Sequence, residues 1–496
     1  MKRLLQRFTV GRLVTAILFV AIFAMAVRQP VDTDTWWHLL AGRVTLERGQ
    51  ILRTDYFSHT RYGAPWTAYA WLSEVFLFIT FDRLSYAGLA LWIAGMVTAT
   101  AALVYLQMEG DPFSRAFILV LGMATSALTW TARPHMWSFL FTAVVAYVLY
   151  LIKWRRINRL WLLPLLFAGW VNLHAGYPLG MMVMVAFVAG EVLNHLLAGQ
   201  LPTDDPTVGW RGIGWIVLIG LLAAIAVLLN PNTTRMWSYY LETVRIGVLQ
   251  DFIQEWQSPD FHQAFTQPFM WLLLATLAAM GLSGRRVDGP DLALVGLFAC
   301  AALLAARNIA PFALVATPAL SRHATAILDR LGWSGRLRRT RGTSARMGAV
   351  NLALLALVIV VALALIQGPL RPAVNQAAAR ETLPVDAAAW IVENRPPGQM
   401  FNPYNWGGYL AWALWPDYRV FVDGRTDLYG DEVLSEYLEV QLARRGFHDV
   451  LDKYNVHLVL TYPDDSLSAQ LRCAGGWSEV YRDDVAVILL REARDG

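Results

Sequence analysis

Cysteine is almost missing from this chain of 496 residues, which holds two. Cys300 falls inside an apolar run and Cys473 lies far away near the C-terminal end, so neither a disulfide framework nor a cysteine-based metal site is expected. Charge is scarce as well: Asp, Glu, Lys and Arg make up 16% of the residues against 56% hydrophobic ones, a balance that does not suit an ordinary soluble domain. Internal repeats and low-complexity tracts are lacking. The net charge of +4 does not form a basic stripe, because the basic residues cluster between apolar runs. That pattern reads as orientation in a membrane and argues against nucleic acid as a partner.

What the chain has in abundance is apolar length. Runs able to cross a bilayer lie near 10–28, 86–107, 115–131, 136–152, 177–198, 212–230, 268–283, 290–306 and 347–367, with shorter ones at 159–172 and 308–321. The expected fold is an α-helical polytopic membrane protein of about eleven transmembrane helices, residues 1–367, with membrane lipids as its solvent. Residues 368–496 are expected to form a small soluble α/β domain. There, Pro384–Asn394 and Glu432–Arg445 read as helices, Tyr418–Asp423 and His457–Thr461 as strands, Trp477–Leu490 as a hairpin and 402–408 as a turn. The basic start (Lys2, Arg3, Arg7) and the run that follows read as a signal anchor, despite Ala24-Met25-Ala26 imitating a cleavage site.

The segment 66–81 is apolar but carries Glu74 and ends at Asp82-Arg83. If it does not cross, Lys153, Arg155, Arg156, Arg159, Arg285, Arg286 and the cluster Arg336, Arg338, Arg339, Arg341 and Arg346 all fall on the cytoplasmic side with the N-terminus. An interfacial or re-entrant helix is therefore expected at 66–81. The first outer loop 29–67, the outer loop 231–267, the short segments 132–135, 173–176 and 307–308, and everything after about 368 then share the extracytoplasmic side.

Those outer segments hold the residues that could carry chemistry. Asp32-Thr33-Asp34-Thr35-Trp36-Trp37-His38 follows the first span. In an extended stretch, carboxylates two apart point the same way and can converge on a metal ion or an acceptor hydroxyl, and desolvation would raise their basicity. The plain alternative is a helix cap. Arg133, His135, His174 and Arg307 sit at the outer ends of spans, where cations and imidazoles are costly unless they face a polar cavity or an anion such as phosphate. Snorkelling and helix-end capping are the alternatives. Glu255, Trp256 and Gln257, like Trp36, Trp37 and His38, mix aromatic faces with hydrogen-bonding groups in the way a sugar requires, although an interfacial aromatic belt is equally consistent. Val422-Asp423-Gly424-Arg425-Thr426-Asp427 reads as a structural turn.

Taken together, Asp-Thr-Asp-Thr-Trp-Trp-His after the first span, Ala-Arg-Pro-His, Asn-Leu-His and a terminal Val-Asp-Gly-Arg resemble GT-C-type glycosyltransferases, most of all a bacterial branch of them. The resemblance implies a multi-pass enzyme of the bacterial inner membrane that takes a sugar from a polyprenyl-phosphate carrier. It implies that Asp32 and Asp34 are the catalytic base or metal ligands, and it leaves a divalent metal (Mg or Mn) open. On this reading Arg133, His135, His174 and Arg307 contact phosphate, and Trp36, Trp37, His38, Glu255, Trp256 and Gln257 contact sugar or acceptor. A non-catalytic lipid or glycan translocase, or a cell-envelope assembly protein, is the alternative.

Overall fold

The computed structural model describes residues 2–492 apart from Val31, Leu201, Pro202, Asp204 and 334–342. Arg336, Arg338, Arg339 and Arg341 of the basic cluster lie outside the described residues. Every apolar run read as a span lies on a helix, because a backbone surrounded by lipid must satisfy its hydrogen bonds within itself. Among the described residues six helices are long and apolar enough to cross a membrane: Trp71–Gln107, Pro112–Thr129, His135–Trp154, Pro178–Leu197, Trp210–Leu229 and Ala345–Leu370. Val10–Ala26, Leu162–Leu173, Gln267–Leu282 and Gly289–Leu304 are shorter apolar helices, and Ile309–Arg330 is largely buried among them. Proline often opens a helix, as at Pro112, Pro178 and Pro290, where its missing N–H costs nothing.

The helix bundle hides its charges and exposes its apolar side chains. Phe117, Leu221 and Leu365 face outward, whereas Lys153, Glu191 and Asp288 are buried together and Arg322 pairs with buried Asp291. This is the arrangement of a chain solvated by lipid, and the protein is a multi-pass membrane protein. Those buried ion pairs, with Arg285 bridging Glu109 and Asp205, gather at one end of the helices. The connectors holding Asp32, Arg133, His174 and Arg307 gather at the other.

Trp71–Gln107 is two helices rather than one. Ser85 (φ 52°, ψ −150°) breaks it, and residues 71–84 fold back so that Phe76 meets Trp92 at 6.1 Å between ring centroids. Fourteen residues at 1.5 Å each reach about 21 Å, short of the ~30 Å hydrocarbon core.

Near the C-terminal end a four-stranded sheet runs in the order β1 (Gln399–Phe401), β2 (Val456–Thr461), β4 (Val487–Arg491), β3 (Trp477–Arg482). The β1–β2 pair is parallel and the others antiparallel. Two expectations need correction. Residues 404–408 open the helix Tyr404–Leu414 rather than a turn, since Asn402 uses its side chain to bond Phe421 and Val422 and the chain coils directly after Pro403. Residues 418–423 add no strand to the sheet. Val420 instead exchanges backbone hydrogen bonds with Phe57 and His59 of the loop 49–70.

That pairing is one of several ties between this loop and the C-terminal region. Arg425 is fully buried between Asp423 and Asp55, at 2.6 Å from each, and Arg61 reaches the Tyr429 carbonyl and Glu432. Asp55 also accepts from the backbone of Phe57 and Ser58 and from the Ser58 hydroxyl, so its buried charge is fully engaged.

Candidate functional site

The connector after Val10–Ala26 sets the first part of the site. The Asp32 Oδ1 accepts the Asp34 N–H at 2.9 Å, a local turn that redirects the chain into the helix Thr35–Arg48. Asp34 occupies the N-cap position of that helix, yet its side chain makes no capping hydrogen bond. It points instead at Arg133, with Nη2 to Oδ2 at 2.8 Å. Nη1 of Arg133 keeps only longer contacts, 3.7 Å to Asp32 and 3.7 Å to Glu255. Three carboxylates from two connecting segments thus surround one guanidinium.

These groups line a cavity of about 290 Å³ that also takes in His38, His135, His174, Trp256 and Arg307. Arg307 lies over the Trp256 ring at 4.0 Å, and its connector is tied to the other by the Ala306 N–H donating to the Gln257 carbonyl at 2.9 Å. The cavity also has walls that sequence reasoning did not single out: Tyr69, Tyr239, Tyr240, Tyr404, Thr426 and Asp427. The last three belong to the C-terminal region, which closes over the helix bundle. Gly424 makes the closure possible, because a Cβ there would fall 1.9 Å from the Asp34 Oδ1.

Burial dominates the electrostatics. It pushes the Asp34 carboxyl up to about 6, against the pull of Arg133 and with smaller pushes from Asp32 and Glu255. Burial alone would lower the Arg133 guanidinium, but the three carboxylates hold it well above the ordinary arginine value. Glu255 is raised by burial but more strongly lowered by Arg133, Arg307 and His135 together, and ends below the usual glutamate range. Burial, then His135, Arg307 and Arg133, hold His174 well below the usual histidine value. Burial also raises Asp427 to about 6, opposed by a hydrogen bond from Tyr239.

The histidines offer different atoms to a ligand. The Gly176 N–H donates to Nδ1 of His174 at 3.0 Å, so a neutral His174 carries its proton on Nε2 and presents a donor. His135 spends Nε2 on the Thr129 carbonyl at 2.6 Å, which leaves a neutral ring with only a lone pair at Nδ1. His135 is therefore poorly suited to phosphate and better suited to a hydroxyl.

Trp36, Trp37 and Gln257 do not line the cavity. Trp36 packs among Phe81, Tyr86, Tyr409 and Trp412, because the segment is helical from Thr35 and this position leaves the face that Asp34 and His38 share, while Trp37, one turn after Asp34, is buried beside Trp66 with its indole N–H next to the Asp34 carboxylate. Nor do the carboxylates form a metal cage. Among the described residues no three His, Cys, Asp or Glu side chains are arranged to hold an ion, and Asp32 and Asp34 both turn to Arg133.

No family model matches the chain, and no curated protein matches it in sequence. Solved structures do. The apo oligosaccharyltransferase of Archaeoglobus fulgidus is 12% identical and superimposes with a TM-score of 0.57 over 97% of this chain and 75% of that one. The same enzyme tethered to an acceptor peptide containing the NVT sequon is 14% identical, with a TM-score of 0.54 over 91% and 69%. ArnT from Cupriavidus metallidurans bound to undecaprenyl phosphate is 14% identical, with a TM-score of 0.49 over 97% and 98%. This multi-pass membrane protein has the fold of the GT-C glycosyltransferases.

Proposed function

We propose that the chain is an inverting glycosyltransferase that moves a sugar from a polyprenyl-phosphate-linked donor to an acceptor on the extracytoplasmic side of a bacterial inner membrane. The observation that carries the proposal is the cavity itself, in which a half-buried carboxylate of raised basicity, Asp34, shares one space with Arg133 and Arg307. The oligosaccharyltransferase with the same fold holds an acceptor peptide, as a transfer enzyme must, and the basic residues between spans favour an extracytoplasmic cavity.

In the proposed reaction an acceptor hydroxyl binds against the phenols of Tyr69 and Tyr239 and the Asp427 carboxyl. Asp34 takes its proton, and the oxygen attacks the anomeric carbon as the bond from that carbon to the phosphate oxygen breaks. One displacement inverts the anomeric configuration. The leaving polyprenyl phosphate gains negative charge, which Arg307 and the less engaged Nη1 edge of Arg133 stabilise with the Nε2–H of His174. A carboxyl near 6 suits a base working around neutral pH.

The test is a reconstitution of the purified protein in liposomes with a labelled polyprenyl-phosphate sugar and a mixture of candidate acceptors. Release of polyprenyl phosphate matched by labelled acceptor supports the proposal. Intact donor moved from one leaflet to the other, with its sugar bond unbroken, refutes it in favour of a translocase.

A further inference from the structure

One buried acid beside the cavity has no part in the reaction as written. Glu74 lies on the short helix of residues 71–84, 1% exposed, with Oε1 at 3.1 Å from Nδ1 of His38, itself 2% exposed. His38 lines the cavity. It stands one turn after Asp34 on Thr35–Arg48, its backbone N–H donating to the Asp34 carbonyl at 3.3 Å, and Gly42 follows one further turn along the same face. That face presses directly on the short helix. A Cβ on Gly42 would fall 2.1 Å from the Glu74 carbonyl oxygen, so only glycine lets the two backbones approach closely enough to bring Glu74 onto the imidazole.

We propose that Glu74 is a positioning residue for the glycosyl transfer, holding His38 by Nδ1 so that Nε2 is presented to the bound substrate as a hydrogen-bonding atom. The inference rests on the function proposed above. With Nδ1 committed to Glu74, Nε2 is the only polar atom the ring can offer the cavity, and the proton on Nδ1 decides whether it accepts or donates. Burial pushes the Glu74 carboxyl up to about 8, so near neutral pH it keeps its proton and donates it to Nδ1, which leaves Nε2–H as a donor to a sugar or acceptor oxygen; an ionised Glu74 takes the Nδ1–H instead and leaves a lone pair at Nε2. This is the way an orienting carboxylate fixes an imidazole in other sites. Burial and then the neighbouring Arg133, His174 and His135 hold the His38 imidazole well below its ordinary value, which keeps the ring neutral, with Nδ1 held by Glu74 and Nε2 facing the substrate. A pair that served packing alone would need no access to the cavity, whereas His38 has it.

The experiment is a double-mutant cycle on transfer in liposomes with wild-type protein, Glu74→Gln, His38→Gln and the double variant. A positioning role predicts a drop in kcat of about 10- to 100-fold for Glu74→Gln with donor KM changed less than about twofold. It also predicts no further loss when Glu74→Gln is added to His38→Gln, because the acid acts only through the ring. If Glu74→Gln fails to fold, the cycle is run with Glu74→Asp, for which the same non-additivity is expected. Wild-type turnover in the Glu74 variant, or losses that simply multiply in the double variant, overturns the inference while leaving the glycosyl-transfer function standing. Absence of transfer by the wild-type protein overturns that function, and the positioning role with it.

Discussion

Replacing Asp34 with Asn separates catalysis from structure at a position where the structure makes the two effects very unequal. Asn preserves the side-chain volume, so the contact with Gly424, where no Cβ fits, is kept. The usual cost of losing a helix cap, about 1 kcal/mol, does not arise because the Asp34 side chain makes no capping hydrogen bond. Arg133 loses its 2.8 Å partner but retains Asp32 and Glu255 nearby, so no guanidinium is left without a counter-charge. What disappears is the carboxylate that touches the cation most closely, at 2.8 Å, and that burial pushes up to about 6. Loss of a general base lowers turnover by about 10²- to 10⁴-fold. The assay is initial-rate release of polyprenyl phosphate at pH 7.5, beside thermal unfolding in detergent. The expectation is a rate collapse with an unfolding midpoint moved by no more than a few degrees. A variant that keeps its turnover within threefold, or one that loses activity only because it unfolds, refutes the reasoning.

Three other outcomes follow from the same geometry. With the Asp34 carboxyl near 6, turnover should fall about tenfold per unit as pH drops below that value, because the base is then protonated; a pH–rate profile checks this, and the limb should persist in Asp427→Asn and vanish from the residual activity of Asp34→Asn. Gly424→Ala should reduce turnover by at least tenfold with the fold intact, since the new methyl displaces the Asp34 carboxylate; equal rates would show that Asp34 is not held there in the working enzyme. Arg425→Met should destabilise the protein by about 3–5 kcal/mol by leaving Asp423 and Asp55 buried without their cation, read as a lower unfolding midpoint and easier proteolysis of the C-terminal region.

How much of the fold and the cavity is legible in the sequence depends on which physics wrote the pattern. A bilayer demands long apolar helices whatever their neighbours, so the spans are visible one by one. Arg133, His174 and Arg307 are visible for a related reason, because a cation or an imidazole at a span end is costly without a cavity. Asp32 and Asp34 do meet, although through a turn closed by Asp32 on the Asp34 N–H rather than through an extended strand. Trp36 and Trp37 mislead because the helix begins at Thr35, and a period of 3.6 sends their rings into the core. The Val-Asp-Gly-Arg turn is half legible. Asp423 and Arg425 do hold the fold with Asp55, but nothing local announces that Gly424 touches Asp34 or that Asp427 meets Tyr239 at the cavity wall. Tyr69 and Tyr239 are illegible for the same reason: a contact made across more than a hundred residues leaves no periodicity and no spacing to read.

The most direct test is a density map of the protein in lipid with a polyprenyl-phosphate sugar bound to the Asp34→Asn variant, which should hold the donor without cleaving it. Phosphate density is expected at Arg307 and the Nη1 edge of Arg133, with the anomeric carbon facing residue 34 and the lipid tail leaving between helices. Phosphate seated outside the cavity, or a sugar turned away from residue 34 with Arg133 still closed on its carboxylate neighbours, would contradict it.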